Sequence, residues 1–158
     1  MFNFFSALVD AFPYHFSDTL HPLLIKTMCG EYFETKDDLF LTFEQGGKSC
    51  MTKGIDASRT SDCENAMDVT GKDQLGDCAD FNFSSSSARG IVSSNGSNDA
   101  WRGEWIRVVL SDHTYLECPI GHWIDGDNNI AGNTDSSIKS SLMFNCTYVT
   151  GEYLNHYF

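Results

Sequence analysis

Six cysteines, Cys29, Cys50, Cys63, Cys78, Cys118 and Cys146, are spread widely along the chain, with no C-x-x-C pair and no histidine at a zinc-ligand spacing from any of them. That spacing argues against a zinc cluster. An even number at wide intervals predicts a framework of three disulfides, and hence a secreted or extracellular protein matured in an oxidising compartment. Three glycosylation sequons agree with that compartment: Asn82-Phe83-Ser84, Asn95-Gly96-Ser97 and Asn145-Cys146-Thr147. The alternative is reduced core cysteines with sequons arising by chance in a Ser- and Asn-rich chain; a count of free thiols under denaturing, non-reducing conditions separates the two. The cysteine count leaves connectivity open. The expected pairs are Cys29 with Cys146, joining the first and last strands, Cys50 with Cys63 around a local loop, and Cys78 with Cys118.

A chain of 158 residues is long enough to bury about 68–70% of its unfolded surface, so one domain forms a core without help from a metal or partner. Hydrophobic residues make up 41% and aromatic residues 13%, with 12 phenylalanines, which excludes a disordered chain and favours strands with large inward side chains. The formal charge of -12 repels phosphate backbones and anionic bilayers at long range, so nucleic acid is excluded as an expected partner. No run approaches the about 18 apolar residues of a transmembrane helix. The opening MFNFFSALVDAF is apolar, but it lacks a basic flank and a small-residue cleavage site and carries Asp10. For a secreted protein this means either that a targeting segment is already removed or that these residues are an atypical signal.

Phe4, Phe5, Leu8, Val9 and Phe12 recur at helical offsets, with Asn3 as N-cap and Pro13 just beyond. A second helical turn is expected over Ser17–Ile25, from Ser17, Asp18 and Pro22 as start signals and Leu20, Leu23, Leu24 and Ile25 as its apolar face. From Lys26 the period becomes two, divided by Gly, Asp, Asn and Ser clusters, which argues an antiparallel all-β domain. Strands are expected at 25–29, 38–43, 49–51, 67–70, 81–84, 90–93, 105–110, 114–117 and 142–149, enough for a two-sheet antiparallel β-sandwich. Gln45-Gly46-Gly47-Lys48 signals a tight hairpin and Ser111–Thr114 a second turn. The serines from Ser84 to Ser87 read as an exposed loop, and the polar stretch from Asp125 to Lys139 as a long one. The organisation is thus 1–25 helical extension, 26–150 sandwich and 151–158 aromatic tail. That tail, with Tyr153, Leu154, Tyr157 and Phe158, packs back on the domain or docks on another chain.

An ordered series runs from Cys29 to Asp125: Cys29-Gly30, then Asp37-Asp38 before Leu39-Phe40-Leu41-Thr42-Phe43; Met67-Asp68-Val69 and Leu75-Gly76; Ser94-Asn95-Gly96-Ser97-Asn98-Asp99-Ala100-Trp101 leading into Ile106, Val108 and Leu110; and Tyr115-Leu116-Glu117-Cys118 with Trp123-Ile124-Asp125. In that order the series resembles the PLAT domain, the β-sandwich shared by lipoxygenases, pancreatic-type lipases, polycystins and a clostridial alpha-toxin. Its segments are similar to that family's entry, its next step, its polar turn with the following strand, and its ending, with Trp105 as an extra. The added cysteines suggest a secreted offshoot.

The resemblance implies a loop end that binds calcium in some members, and calcium is the one cofactor expected. Calcium takes about six to eight oxygen ligands, which carboxylates on neighbouring loops supply. Asp37, Asp38, Asp99, Asp125 and Asp127, with Asn129, are the candidates; the alternative is a set of Asx turns facing solvent. An EF-hand is excluded, because Ile130 and Ser136 stand where its glycine and bidentate glutamate belong. The resemblance also implies docking on lipid or protein through exposed aromatics, with Trp101 and Trp105 as candidates; the alternative is that a tryptophan leading into an apolar strand is core, the reading given to Trp123 and Trp101. No G-x-S-x-G, H-E-x-x-H or P-loop occurs, and Asp112-His113 reads as a turn. The expected function is a non-catalytic extracellular module that contacts protein or a lipid surface, with calcium dependence. Two alternatives stay open: a structural subunit of an assembly joined through the N-terminal helices and C-terminal tail, and an accessory chain of a hydrolase.

Overall fold

The computed structural model describes residues 20–30, 35, 37–57, 63–95, 100–124 and 141–151. The strands are β1 (Leu23–Thr27), β2 (Asp38–Gln45), β3 (Lys48–Met51), β4 (Ile55–Asp56), β5 (Met67–Val69), β6 (Ala88–Ser94), β7 (Trp101–Ser111), β8 (Thr114–Pro119), β9 (Trp123–Ile124) and β10 (Ser141–Thr150). One short helix, α1 (Lys72–Leu75), continues into a 3-10 turn over Gly76–Ala79. The protein is therefore all-β, as its period-two pattern predicts.

All strand pairings are antiparallel, and the order is β3-β2-β6-β10-β8-β7-β1-β5, with β4 beside β2 and β9 beside β7. Alternation along β2 explains the packing. Leu39, Leu41 and Phe43 are buried while Phe40, Thr42 and Glu44 face outward, the arrangement of a sheet wetted on one side. The sheet curls, so that Leu41 of β2 and Cys50 of β3, near one end of the order, join one core cluster with Ile25 of β1 and Val69 of β5 near the other. β10 makes the bend by changing partner, residues 141–146 pairing with β6 and 147–150 with β8. A second cluster, Leu24, Trp105, Val109 and Tyr115, lies on the outward side of β1, β7 and β8. There Arg107 stands 3.9 Å from the Trp105 ring centre and donates to Glu117 at 2.9 Å.

The three disulfides are Cys29–Cys63, Cys50–Cys78 and Cys118–Cys146, so all three expected pairings are corrected. Strand neighbours explain why. β1 pairs with β5 and β7 and never meets β10, which rules out Cys29 with Cys146. Ile25 stands opposite Met67, and continuing that register four residues brings Cys29 opposite Cys63. Thr147 stands opposite Glu117, so Cys146 and Cys118 are the next cross-strand pair. Cys50 points inward from β3 onto Cys78 in the 3-10 turn.

Two element readings are also corrected. Leu23, Leu24 and Ile25 form β1 in place of a helical turn, and the 25/26 boundary falls inside that strand. Their continuous apolar run reflects burial on both faces, Leu23 and Ile25 in the main core and Leu24 in the second cluster. Residues 81–84 form no strand, and Phe83 N–H donates to the Phe81 carbonyl at 3.1 Å in a tight local turn. Phe83 enters the core, its ring centre 5.4 Å from that of Phe43, while the backbone pairs with a side chain: Gln45 Nε2 donates to the Ser84 carbonyl at 2.9 Å and Ser84 N–H donates back to Gln45 Oε1 at 2.7 Å. The hairpin at Gly46-Gly47, with both φ positive, and the turn at Asp112-His113 form as expected. Ser84 to Ser87 are exposed. The readings on 1–19, on 125–139 and on the tail from 152 lie outside the described residues.

Among the described residues no helix is long and apolar enough to cross a membrane.

Candidate cation-binding loop end

β2 starts at Asp38, and its start is clasped to the end of β6. Asp38 N–H donates to Asn95 Oδ1 at 3.0 Å, and Asn95 N–H donates to the Asp38 carbonyl at 3.2 Å. One residue earlier, Asp37 N–H donates to the hydroxyl of buried Thr35 at 3.1 Å, the local bond by which a short polar side chain fixes a turn. The start of β2 and the end of β6 are thereby held together.

Asp56 of β4, a residue the sequence pattern passes over, adds a carboxylate there. β4 is only two residues long, with Asp56 directly opposite Asp38 and Ile55 opposite Leu39. Directly opposed residues share a face of the sheet, and like charges so placed repel. Beside them Gly54 keeps room: a Cβ there would stand 2.7 Å from Asp38 Oδ2. The carboxylate of Asp38 therefore lies close to the Gly54 backbone, while the carboxamide of Asn95 accepts from the Asp38 backbone N–H. Such oxygens suit a hard cation such as calcium, which takes carboxylate, amide and backbone oxygen alike.

The remaining candidates neighbour β7 and β9 in the sequence. Trp101 pairs with Ile124 and Arg102 with Trp123, so the chain leading from Asp99 and the chain leading into Asp125 run side by side. β9 also touches β6, the strand that ends at Ser94. Asp99, Asp125, Asp127 and Asn129 themselves lie outside the described residues. Among the described residues no three His, Cys, Asp or Glu side chains gather where one ion would be held.

The docking reading of Trp101 and Trp105 is corrected, and the core reading of Trp101 holds. Trp101 is 0% exposed, with its indole Nε1–H donating to Thr27 Oγ1 at 2.9 Å, and Trp105 is 8% exposed beneath Arg107. Neither projects as a docking side chain. Trp101 is of opposite parity to Ile106 and Val108 and reaches the same core because β7 bulges at Glu104, Lys26 pairing with Trp105 but Thr27 with Gly103, which reverses the alternation. Trp123 is half-buried, with the Arg102 guanidinium 5.6 Å from its ring centre. Asp112 and His113 are exposed at the tip of the β7–β8 hairpin.

No family model matches the chain, and no curated protein matches it.

Proposed function

We propose that this chain is a secreted, non-catalytic interaction module, a divergent PLAT-like two-sheet sandwich, whose acidic loop end takes calcium and through it contacts a protein or lipid surface. The observation that carries the reading is the clasp between Asp38 and Asn95 with Asp56 opposite. It joins the start of β2 to the end of β6 and sets Asp56 directly across from Asp38 in a chain of formal charge -12. The partner change along β10 supports two sheets joined at a corner. Calcium at this end offsets the Asp38–Asp56 repulsion and gives an acidic protein a bridge to an anionic surface.

The test is thermal unfolding in chelator and in millimolar calcium. A site filled at a hundred times its dissociation constant adds about 2.7 kcal/mol, which for a domain of this size raises Tm by roughly 5–10 °C. Asp38→Asn is expected to remove most of that rise while keeping the fold. Equal melting temperatures with and without calcium would remove the metal from the reading.

A further inference from the structure

The outward face of β3, β2, β6 and β10 is ordered in rows. Met51, Thr42, Ile91 and Met143 stand opposite one another across four strands. Three of the four are large hydrophobics left in solvent, Met51 at 55%, Ile91 at 41% and Met143 at 69% exposed. An exposed apolar row on a sheet face is a surface that something covers. The next row is Ser49, Glu44, Arg89 and Asn145, with Arg89 Nη2 donating to Glu44 Oε1 at 2.8 Å. Asn145, exposed on this face, is the asparagine of a sequon.

Two shallow depressions connect the rows. One, of about 410 Å³, has Asn145, Thr147 and Gly46 in its walls; the other, of about 170 Å³, has Thr42, Ile91 and Met143, and both share Glu44 and Arg89. A path therefore runs from the Asn145 carboxamide, past the ion pair, to the apolar row. Its chemistry is that of a sugar ring, an apolar C–H face over Ile91 and Met143 with hydroxyls at the edge for Glu44 and Arg89.

We propose that Asn145 carries an N-linked glycan whose first sugars lie along this sheet face and cover Ile91 and Met143. In the transfer, Asn145 Nδ2 forms a bond to the anomeric carbon of an oligosaccharide carried on a lipid pyrophosphate. The bond from that carbon to the phosphate oxygen breaks, the lipid pyrophosphate leaves, and one amide proton passes to a base of the transferase. The proposal rests on the reading that the chain passes through a secretory compartment. The glycan is bulky and solvating, and Asn145 lies toward the Gly46 end of β2, away from Asp38 at the other end of that strand.

The experiment uses the full chain secreted from a glycosylating eukaryotic host, with free thiols counted first. Peptide mass spectrometry then reads occupancy of Asn145, and timed peroxide treatment reads oxidation of each methionine. Oxidation follows exposure, so Met143 in the glycosylated protein is expected to oxidise about threefold more slowly than in Thr147→Ala, which loses the sequon but keeps Asn145. Met51, at the far end of the row, is expected to change little, and Asn145→Gln is expected to behave as Thr147→Ala does. Free thiols at all six cysteines would defeat the compartment reading itself. Intact disulfides with Asn145 unmodified would overturn the proposal, and so would Met143 oxidising equally fast in both forms. Slow oxidation in Thr147→Ala accompanied by dimerisation would also overturn it, by making a second copy the occupant of the face.

Discussion

At the scale of single residues the tightest fit is between Gly103 and Trp101. A Cβ at Gly103 would stand 2.2 Å from Cη2 and 2.6 Å from Cζ2 of the Trp101 indole, inside any real contact distance. The ring has little freedom to move, because it is wholly buried and its N–H is committed to Thr27 Oγ1 at 2.9 Å. Gly103→Ala must therefore push the indole off that hydroxyl or shift β7. Overpacking and a buried donor left unpaired together cost about 2–4 kcal/mol. A fall in the denaturant midpoint of that size, with an unchanged slope, is the expected result; a loss below about 0.5 kcal/mol, the scale of an ordinary surface change, would show that the indole relocates freely. None of this is legible in WRGEW read as a string. Strict alternation back from Ile106 and Val108 assigns Trp101 to the opposite face, so the string alone leaves it either a core residue or an exposed anchor. What decides between them is the hydroxyl of Thr27, 74 residues away, and a pairing that the sequence does not display.

At the scale of elements, β1 is fixed by its entry. Val109 N–H donates to the Pro22 carbonyl at 2.9 Å, and the His21 ring pairs through Nδ1 with the Val109 carbonyl at 3.1 Å, so both backbone groups of one β7 residue hold the residues before Leu23. Since a carbonyl only accepts, Nδ1 carries the proton in the neutral ring, and the buried Nε2 has no hydrogen-bond partner among the described residues. Protonating Nε2 would bury a charge beside Phe83, whose ring centre is 5.8 Å away. Burial accordingly holds the His21 pKa below its ordinary 6.5, with the bond to Val109 acting weakly the other way. The unfolded chain then binds more protons than the folded one between the lowered value and 6.5, so His21 costs stability as pH falls through that window and nothing well above it. Stability measured by denaturant titration is expected to decline from pH 7.5 to pH 5, and His21→Phe to flatten the decline; an identical slope in the variant would remove His21 as the source. The element boundaries show how far pattern reading reaches. β2, β3, β8 and β10 follow from clean alternation and two turn signals. β1 imitates a helix face because both of its sides are covered, and residues 81–84 imitate a strand because Phe83 points inward while Gln45 stands where a neighbouring strand would. The loop end is half legible: Asp37, Asp38 and Asn95 are singled out by the resemblance, whereas Asp56 enters only through a two-residue strand that no periodicity can mark.

At the scale of the whole molecule the disulfides tie the curled sheet at three different places: the extended register of β1 and β5, the seat of the 3-10 turn on β3, and the junction of β8 with the bend of β10. Which cysteines meet depends on strand order and register, properties of pairs far apart in sequence, and this is why counting them gives a compartment and no connectivity. Their loop lengths are nearly equal, with separations of 34, 28 and 28 residues. Chain entropy alone therefore assigns each about 3–4 kcal/mol and cannot rank them. Burial can. Cys118 and Cys146 are buried at the bend, Cys50 and Cys78 are buried in the core cluster, and Cys29 is exposed with Cys63 half-buried. Replacing Cys118 and Cys146 together by Ala removes packed sulfur as well as the constraint, at the strand that pairs with both β6 and β8. That pair is expected to lower Tm by roughly 10 °C or more, the Cys50–Cys78 pair by nearly as much, and the Cys29–Cys63 pair by the least. The same order reversed applies to reduction, since a thiolate must reach a sulfur to exchange with it. Under graded reductant, with trapped thiols located by mass, Cys29–Cys63 is expected to open first and Cys118–Cys146 only with global unfolding. Early loss of Cys118–Cys146 would mean that the bend of β10 opens on its own, and that the two halves of the sheet are held together by the core alone.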